Sequence, residues 1–119
     1  MKILVVHRQE SVAKCVKSSM AAGEPVVRYF NSGLDGLHAV RVELFDLIVC
    51  GTDLPVITGF ELIRSLRTQS INEKTPVIFV ADEIDEKAKY LGHALGVADM
   101  LTYADVSAGH FSLSSVTNN

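Results

Sequence analysis

Three continuous apolar runs constrain this chain most: "KILVV" (2–6), "DLIVC" (46–50) and "PVIFVA" (76–81). A strand wetted on one face alternates apolar and polar residues. These runs do not alternate, so each is predicted to be a strand covered on both faces. Two weaker runs, "PVVRYF" (25–30) and "ADMLTY" (98–103), are β-branched or aromatic and complete a set of five. Helical periodicity separates them. In "SVAKCVKSSMAAG" Val12, Cys15, Val16 and Met20 share a face that Gly23 can close. "LDGLHAVRVE" turns Leu37, Val40 and Val42 inward. "GFELIRSLR" does so with Phe60, Leu62, Ile63 and Leu66, and "DEKAKYLGHALG" with Ala88, Leu91 and Leu95. Parallel neighbours need crossover helices, and one lies between each pair of strands. The expected fold is α/β: a five-stranded parallel sheet, doubly wound, in a flavodoxin-like three-layer sandwich.

With 119 residues the chain makes one domain with a core of its own. The expected domain is 1–105. Residues 106–119, "VSAGHFSLSSVTNN", are rich in poor helix formers and are expected to be a short or frayed last helix and tail. A net charge of −3 with no basic stretch argues against nucleic-acid binding by this segment. No apolar run approaches the ~20 residues that span a bilayer, and "MKILVV" is too short for a signal peptide. Cys15 and Cys50 sit on apolar segments and read as reduced, buried thiols. The expected location is cytoplasmic.

The stretch "FDLIVCGTDLPVITGFELIRSLR" (45–67) resembles the third strand, Pro-containing loop and third helix of bacterial response-regulator receiver domains. "SGLDGLHAV" resembles that family's second helix entry, "TPVIFVAD" its fourth strand, and "HALGVADMLT" the approach to its fifth. The likeness runs from Met1 to about Ala104. It implies a phosphoryl-accepting aspartate at the end of the third strand, where this chain has Gly51. It implies an acidic pair after the first strand, where His7 and Arg8 stand. The hydroxyl residue ending the fourth strand falls on Ala81, and the lysine ending the fifth on Tyr103. An aromatic that switches rotamer in the family falls near Met100. The fold signature is kept and the residues that carry the chemistry are replaced.

In such sheets ligands sit at the carboxyl ends of the strands, at the switch point between the first and third. His7, Arg8, Gly51, Asp53, Ala81 and Tyr103 are therefore expected to form one remodelled pocket. Magnesium, which the family holds there, wants carboxylate and water oxygens. At ~4 Å and an effective dielectric of ~20, Arg8 would repel a divalent cation by roughly 8 kcal/mol before screening. No magnesium or other cofactor is expected. Gly51 has no nucleophile. Asp53 has the same strand parity but lies about 6.6 Å further along an extended chain. It reads either as a solvated loop acid or as the partner of Arg8. Tyr103 either fills space left by Gly51 and Ala81 or faces solvent. His7 reads as a structural histidine, with titration near neutral pH the alternative.

His7, Cys50 and Asp53 have the residue types of a nucleophilic triad, but Cys50 alternates away from the Gly51 side. No nucleotide-binding glycine loop is present, and His38, His93 and His110 lack metal-ligand spacing. The expected function is that of a pseudo-receiver, a non-enzymatic interaction module of bacterial signalling that binds another signalling protein or itself. The resemblance implies a partner face of the fourth helix, fifth strand and fifth helix, with candidates Lys87, Tyr90, His93, Met100 and Tyr103. The alternatives are residual phosphotransfer through Asp53 and a small-ligand sensor that uses the remodelled pocket.

Overall fold

A computed structural model describes residues 1–109 and 111. His110 and residues 112–119, which hold most of the expected tail, lie outside the described residues. Five strands and five helices alternate: β1 (Lys2–Val6), α1 (Glu10–Ser19), β2 (Val26–Phe30), α2 (Gly33–Val42), β3 (Leu47–Gly51), α3 (Gly59–Gln69), β4 (Val77–Ala81), α4 (Glu86–Ala94), β5 (Asp99–Thr102) and α5 (Tyr103–Ser107). All strand pairs are parallel, in the order β2-β1-β3-β4-β5. This is the doubly wound sheet expected from the apolar runs.

The strands divide their side chains between two cores. Ile3, Val5, Leu47, Val49, Ile78 and Val80 pack with Val12, Val16 and Val106 on the side of α1 and α5. Leu4, Val6, Ile48, Cys50, Val77 and Phe79 pack with Val40, Leu62, Ile63 and Leu66 on the side of α2 and α3. Strand parity therefore places His7 and position 51 on the α1/α5 face, and Cys50 on the other.

The helices begin where side-chain oxygens satisfy free backbone N–H groups. Ser32 accepts from Asp35, Thr58 from Glu61 and Asp85 from Ala88. Thr102 and Asp105 form a reciprocal capping box for α5. The start of α1 has no such cap: its N-cap residue, Gln9, instead donates its own N–H to the His7 ring.

Several expectations are corrected. Val42, expected inward, is 66% exposed because α2 ends there and the chain turns toward β3. Cys15 is half-buried at the rim of the α1/α5 core. Gly23 does not close α1, which ends at Ser19; a short 3-10 turn, Ala21–Gly23, follows. Within α4 only Gly92 is buried and Ala88 and Leu91 are half-buried; Leu95, just past the helix, does pack against the α2/α3 core as expected. Tyr103, expected at the end of β5, is the first residue of α5, because the Thr102–Asp105 box starts the helix one residue earlier. That helix crosses residue 105 and buries Val106 completely.

Candidate functional site

The ends of β1, β3 and β4 open into a cleft of about 330 Å³. His7, Arg8 and Gln9 enter it from β1, Gly51, Thr52 and Asp53 from β3, and Val80, Ala81 and Asp82 from β4. The expected corner is thus assembled, with one exception: Tyr103 does not line the cleft. Gln9, Thr52 and Asp82 were not singled out from the sequence. Their position beside the strand ends was the available signal, since any residue just past a parallel strand faces this corner.

His7 controls the shape of the cleft. It is 7% exposed, and its ring lies over the α-carbon of Gly51. A β-carbon at position 51 would come within 2.9 Å of His7 Cδ2 and 3.4 Å of Cγ. Gly51 is therefore the steric counterpart of His7: the imidazole occupies the room that a side chain at 51 would need. The Nδ1 atom accepts the Gln9 N–H at 3.0 Å, which leaves the ring proton on Nε2. Burial pushes the His7 pKa below its usual 6.5, against the opposing pull of the Val80 backbone and the Asp82 carboxylate. The neutral ring is the form that fits.

Tyr103 lies behind His7. The two rings stack with centroids 6.3 Å apart and planes 23° apart. The Tyr103 hydroxyl and Ser11 Oγ on α1 are 2.7 Å apart, a hydrogen bond that ties α5 to α1. Tyr103 thus neither fills the Gly51–Ala81 gap nor stands free in solvent. Tyr29 on β2 donates its hydroxyl to the His7 carbonyl at 2.7 Å. Burial and the charge of Glu10 hold its phenol above its usual pKa.

At the mouth, Arg8 Nη1 donates to Asp53 Oδ2 at 2.8 Å. The side chains are 62% and 85% exposed, so the pair contributes little to stability. Its effect is local: the guanidinium partly neutralises a carboxylate in the cleft. This donor set does not suit magnesium. The ring at β1 has its Nδ1 lone pair turned to a backbone N–H, position 51 has no side-chain oxygen to offer, and of the two carboxylates that line the cleft, Asp53 and Asp82, the first already faces a cation. Among the described residues no group of three or more His, Cys, Asp or Glu could hold a metal ion. Cys50 is fully buried with its thiol pushed well up by burial, on the α2/α3 side, and takes no part.

The expected partner face is divided. His93 and Met100, with Ile84, Lys89, Val97 and Asp99, line a shallow cleft of about 360 Å³. Lys87 is exposed on α4, and Tyr90 is 75% exposed. Tyr103, however, packs on the α1/α5 core, whereas Met100 packs on the α2/α3 core. Tyr103 shares the parity of Leu101 on the α1/α5 face, and Met100 has the opposite parity.

A doubly wound sheet in the order 2-1-3-4-5 with a cleft at its switch point defines a flavodoxin-like α/β domain. Residues 3–103 match the response regulator receiver domain. The chain belongs to that family, the receiver domains of two-component signalling. It is 29% identical over 100 residues to the transcriptional regulatory protein PcoR of Escherichia coli, covering 84% of this chain and 43% of PcoR. It is 31% identical over 101 residues to the alkaline phosphatase synthesis transcriptional regulatory protein PhoP of Bacillus subtilis, covering 85% and 41%. The chain therefore spans less than half the length of these curated relatives. Among solved structures it is similar to the Vibrio cholerae chemotaxis protein CheY4, with a TM-score of 0.76, 25% identity and 98% and 92% of the two chains covered. The phosphorylated cyanobacterial phytochrome response regulator RcpA shares the fold, with a TM-score of 0.83 over 99% and 95% of the chains at 16% identity. No helix among the described residues is long and apolar enough to cross a membrane.

Proposed function

We propose that this receiver domain works without aspartyl phosphorylation, as a cytoplasmic interaction module that binds another signalling protein or a second copy of itself. It is not an enzyme on this reading, and it needs no magnesium. One observation carries the proposal: the His7 ring stands where a side chain at position 51 would project, over a glycine that has no nucleophile. Arg8 faces Asp53 at the mouth of the same cleft and places a cation there, which further disfavours a metal. The exposed side of α4, with Lys87, Tyr90 and His93, and the neighbouring Met100 cleft are the proposed partner surface. Tyr103 acts inside the fold rather than on that surface.

The test is intact mass after incubation with Mg²⁺ and acetyl phosphate. The expected spectrum shows the unmodified chain. An acid-stable, base-labile adduct mapping to Asp53 would overturn the proposal and make the protein a phosphorylation switch with a displaced acceptor.

A further inference from the structure

The His7 ring is joined to the rest of the site by contacts that depend on its charge. Its Nδ1 accepts the Gln9 N–H, so a proton on that nitrogen would set two donors against each other at 3.0 Å. Its face lies on Tyr103, whose hydroxyl meets Ser11 of α1. Beyond these contacts α5 is held to α1 through Val106 in the shared core. The open cleft lies beside the ring, so a displaced imidazolium has a hydrated place to go.

We propose that His7 is a proton-sensitive plug: neutral, it covers Gly51 beside the cleft and supports Tyr103 against α1; protonated, it swings into the cleft and loosens the α1–α5 contact. The input to this receiver is then a proton, and the responding element is the α1–α5 face. The charged and titratable neighbours come from every element around the ring. Arg8 opposes the imidazolium from the β1–α1 turn, and Asp82 favours it from the end of β4. Asp53 faces Arg8 from the β3–α3 loop, and Glu10 stands beside Tyr29 at the start of α1. Asp105 of α5 is engaged in its own helix cap. An imidazolium moving outward approaches Asp53 and Asp82, which line the cleft with Arg8. The depressed proton affinity of the buried ring agrees with this reading.

This proposal rests on the phosphorylation-independent reading only in supplying what regulates the site. The two fail separately: an Asp53 adduct is seen by mass, the proton response by NMR. The experiment is a titration of the full chain from about pH 8 to about pH 5, following imidazole and backbone amide resonances. The expected result is a His7 midpoint below its usual 6.5, with the amides of Ser11, Tyr103 and Val106 shifting at that midpoint. Three outcomes overturn the proposal: a His7 midpoint at or above its usual 6.5, α1 and α5 amides that stay still while His7 titrates, or global unfolding before His7 titrates. Tyr103→Phe keeps the ring stack and removes the hydroxyl. It is expected to leave the His7 titration in place and to lose most of the Ser11 response; a full response in this variant overturns the latch. His7→Phe is expected to abolish the coupled shifts, and their persistence overturns the plug. Should His7→Phe not fold, Tyr103→Phe alone decides.

Discussion

At position 56 the chain holds a conformation that suits few side chains. Val56 has φ +69°, and the Ile57 N–H donates to the Pro55 carbonyl across it at 2.8 Å, closing a γ-turn. A β-branched residue is strained there, and at 85% exposure it recovers little by burial. Val56→Asn is expected to raise stability by about 1 kcal/mol, since Asn tolerates positive φ. A urea titration should show a higher midpoint at unchanged slope; a lower midpoint would mean that Val56 packs in a way its exposure does not reveal. Asn72 is the opposite case, a fully buried amide with every group used. Its oxygen accepts from the Phe45 N–H and the Thr75 hydroxyl, and its nitrogen donates to the Val40 and Glu43 carbonyls. Neither residue stood out in the sequence. Strain at 56 and saturation at 72 are properties of where the backbone passes, and residue type alone does not report them.

Among the elements, α3 and the end of α4 are linked by Arg67. Arg67 on α3 donates to the carbonyls of Leu95 and Gly96 at the end of α4, and to those of Glu73 and Thr75 ahead of β4. A helix C-terminus presents free carbonyls and partial negative charge, so a guanidinium fork satisfies both. Burial lowers the Arg67 pKa from its usual value, and these carbonyls are what compensates the charge. Arg67→Met is expected to cost about 2–3 kcal/mol. Chemical denaturation would measure the loss, and hydrogen exchange should speed up most at the α4 C-terminus. A uniform rise in exchange with no excess there would show that Arg67 supports the whole fold rather than the α3–α4 joint. Two close approaches position the loop that carries Asp53. A β-carbon on Gly59 would lie 1.9 Å from the Gly51 carbonyl, and one on Gly33 would lie 2.2 Å from that of Ile57. The Pro55–Gly59 spacing was legible in the sequence; the contact that requires Gly59 was not, because it lies between segments eight residues apart.

For the whole molecule, acid stability follows from the sign of the His7 shift. The folded state holds this ring with a pKa below 6.5, so the unfolded chain binds its proton first as pH falls. Above about 6.5 both states are neutral at His7 and its contribution is constant. Stability is then lost as pH drops below 6.5, and the loss levels off once the folded-state pKa is passed. Thermal unfolding between about pH 7.5 and about pH 5 should show a falling midpoint that flattens in His7→Phe. A profile with the same slope in both proteins would assign the loss to other groups.

The sequence by itself determined the parallel, doubly wound sheet and the corner where the site lies. Strands buried on both faces write continuous apolar runs, and the crossover rule then leaves few topologies. It also determined that the corner lacks an aspartate at 51, since that needs only the strand end. What the tertiary structure alone decided is which side chain fills the gap. His7 and Gly51 are far apart in the chain, and only the pairing of β1 with β3 puts them on one face, ring over α-carbon. The fate of Tyr103 was decided likewise. Tyr103 has the strand parity of Leu101, which faces the α1/α5 core, and only the assembled fold brings its ring to His7 and its hydroxyl to Ser11, on the side opposite Met100. Short-range pattern specifies elements; contacts between their ends depend on register and rotation, which only the assembled fold sets.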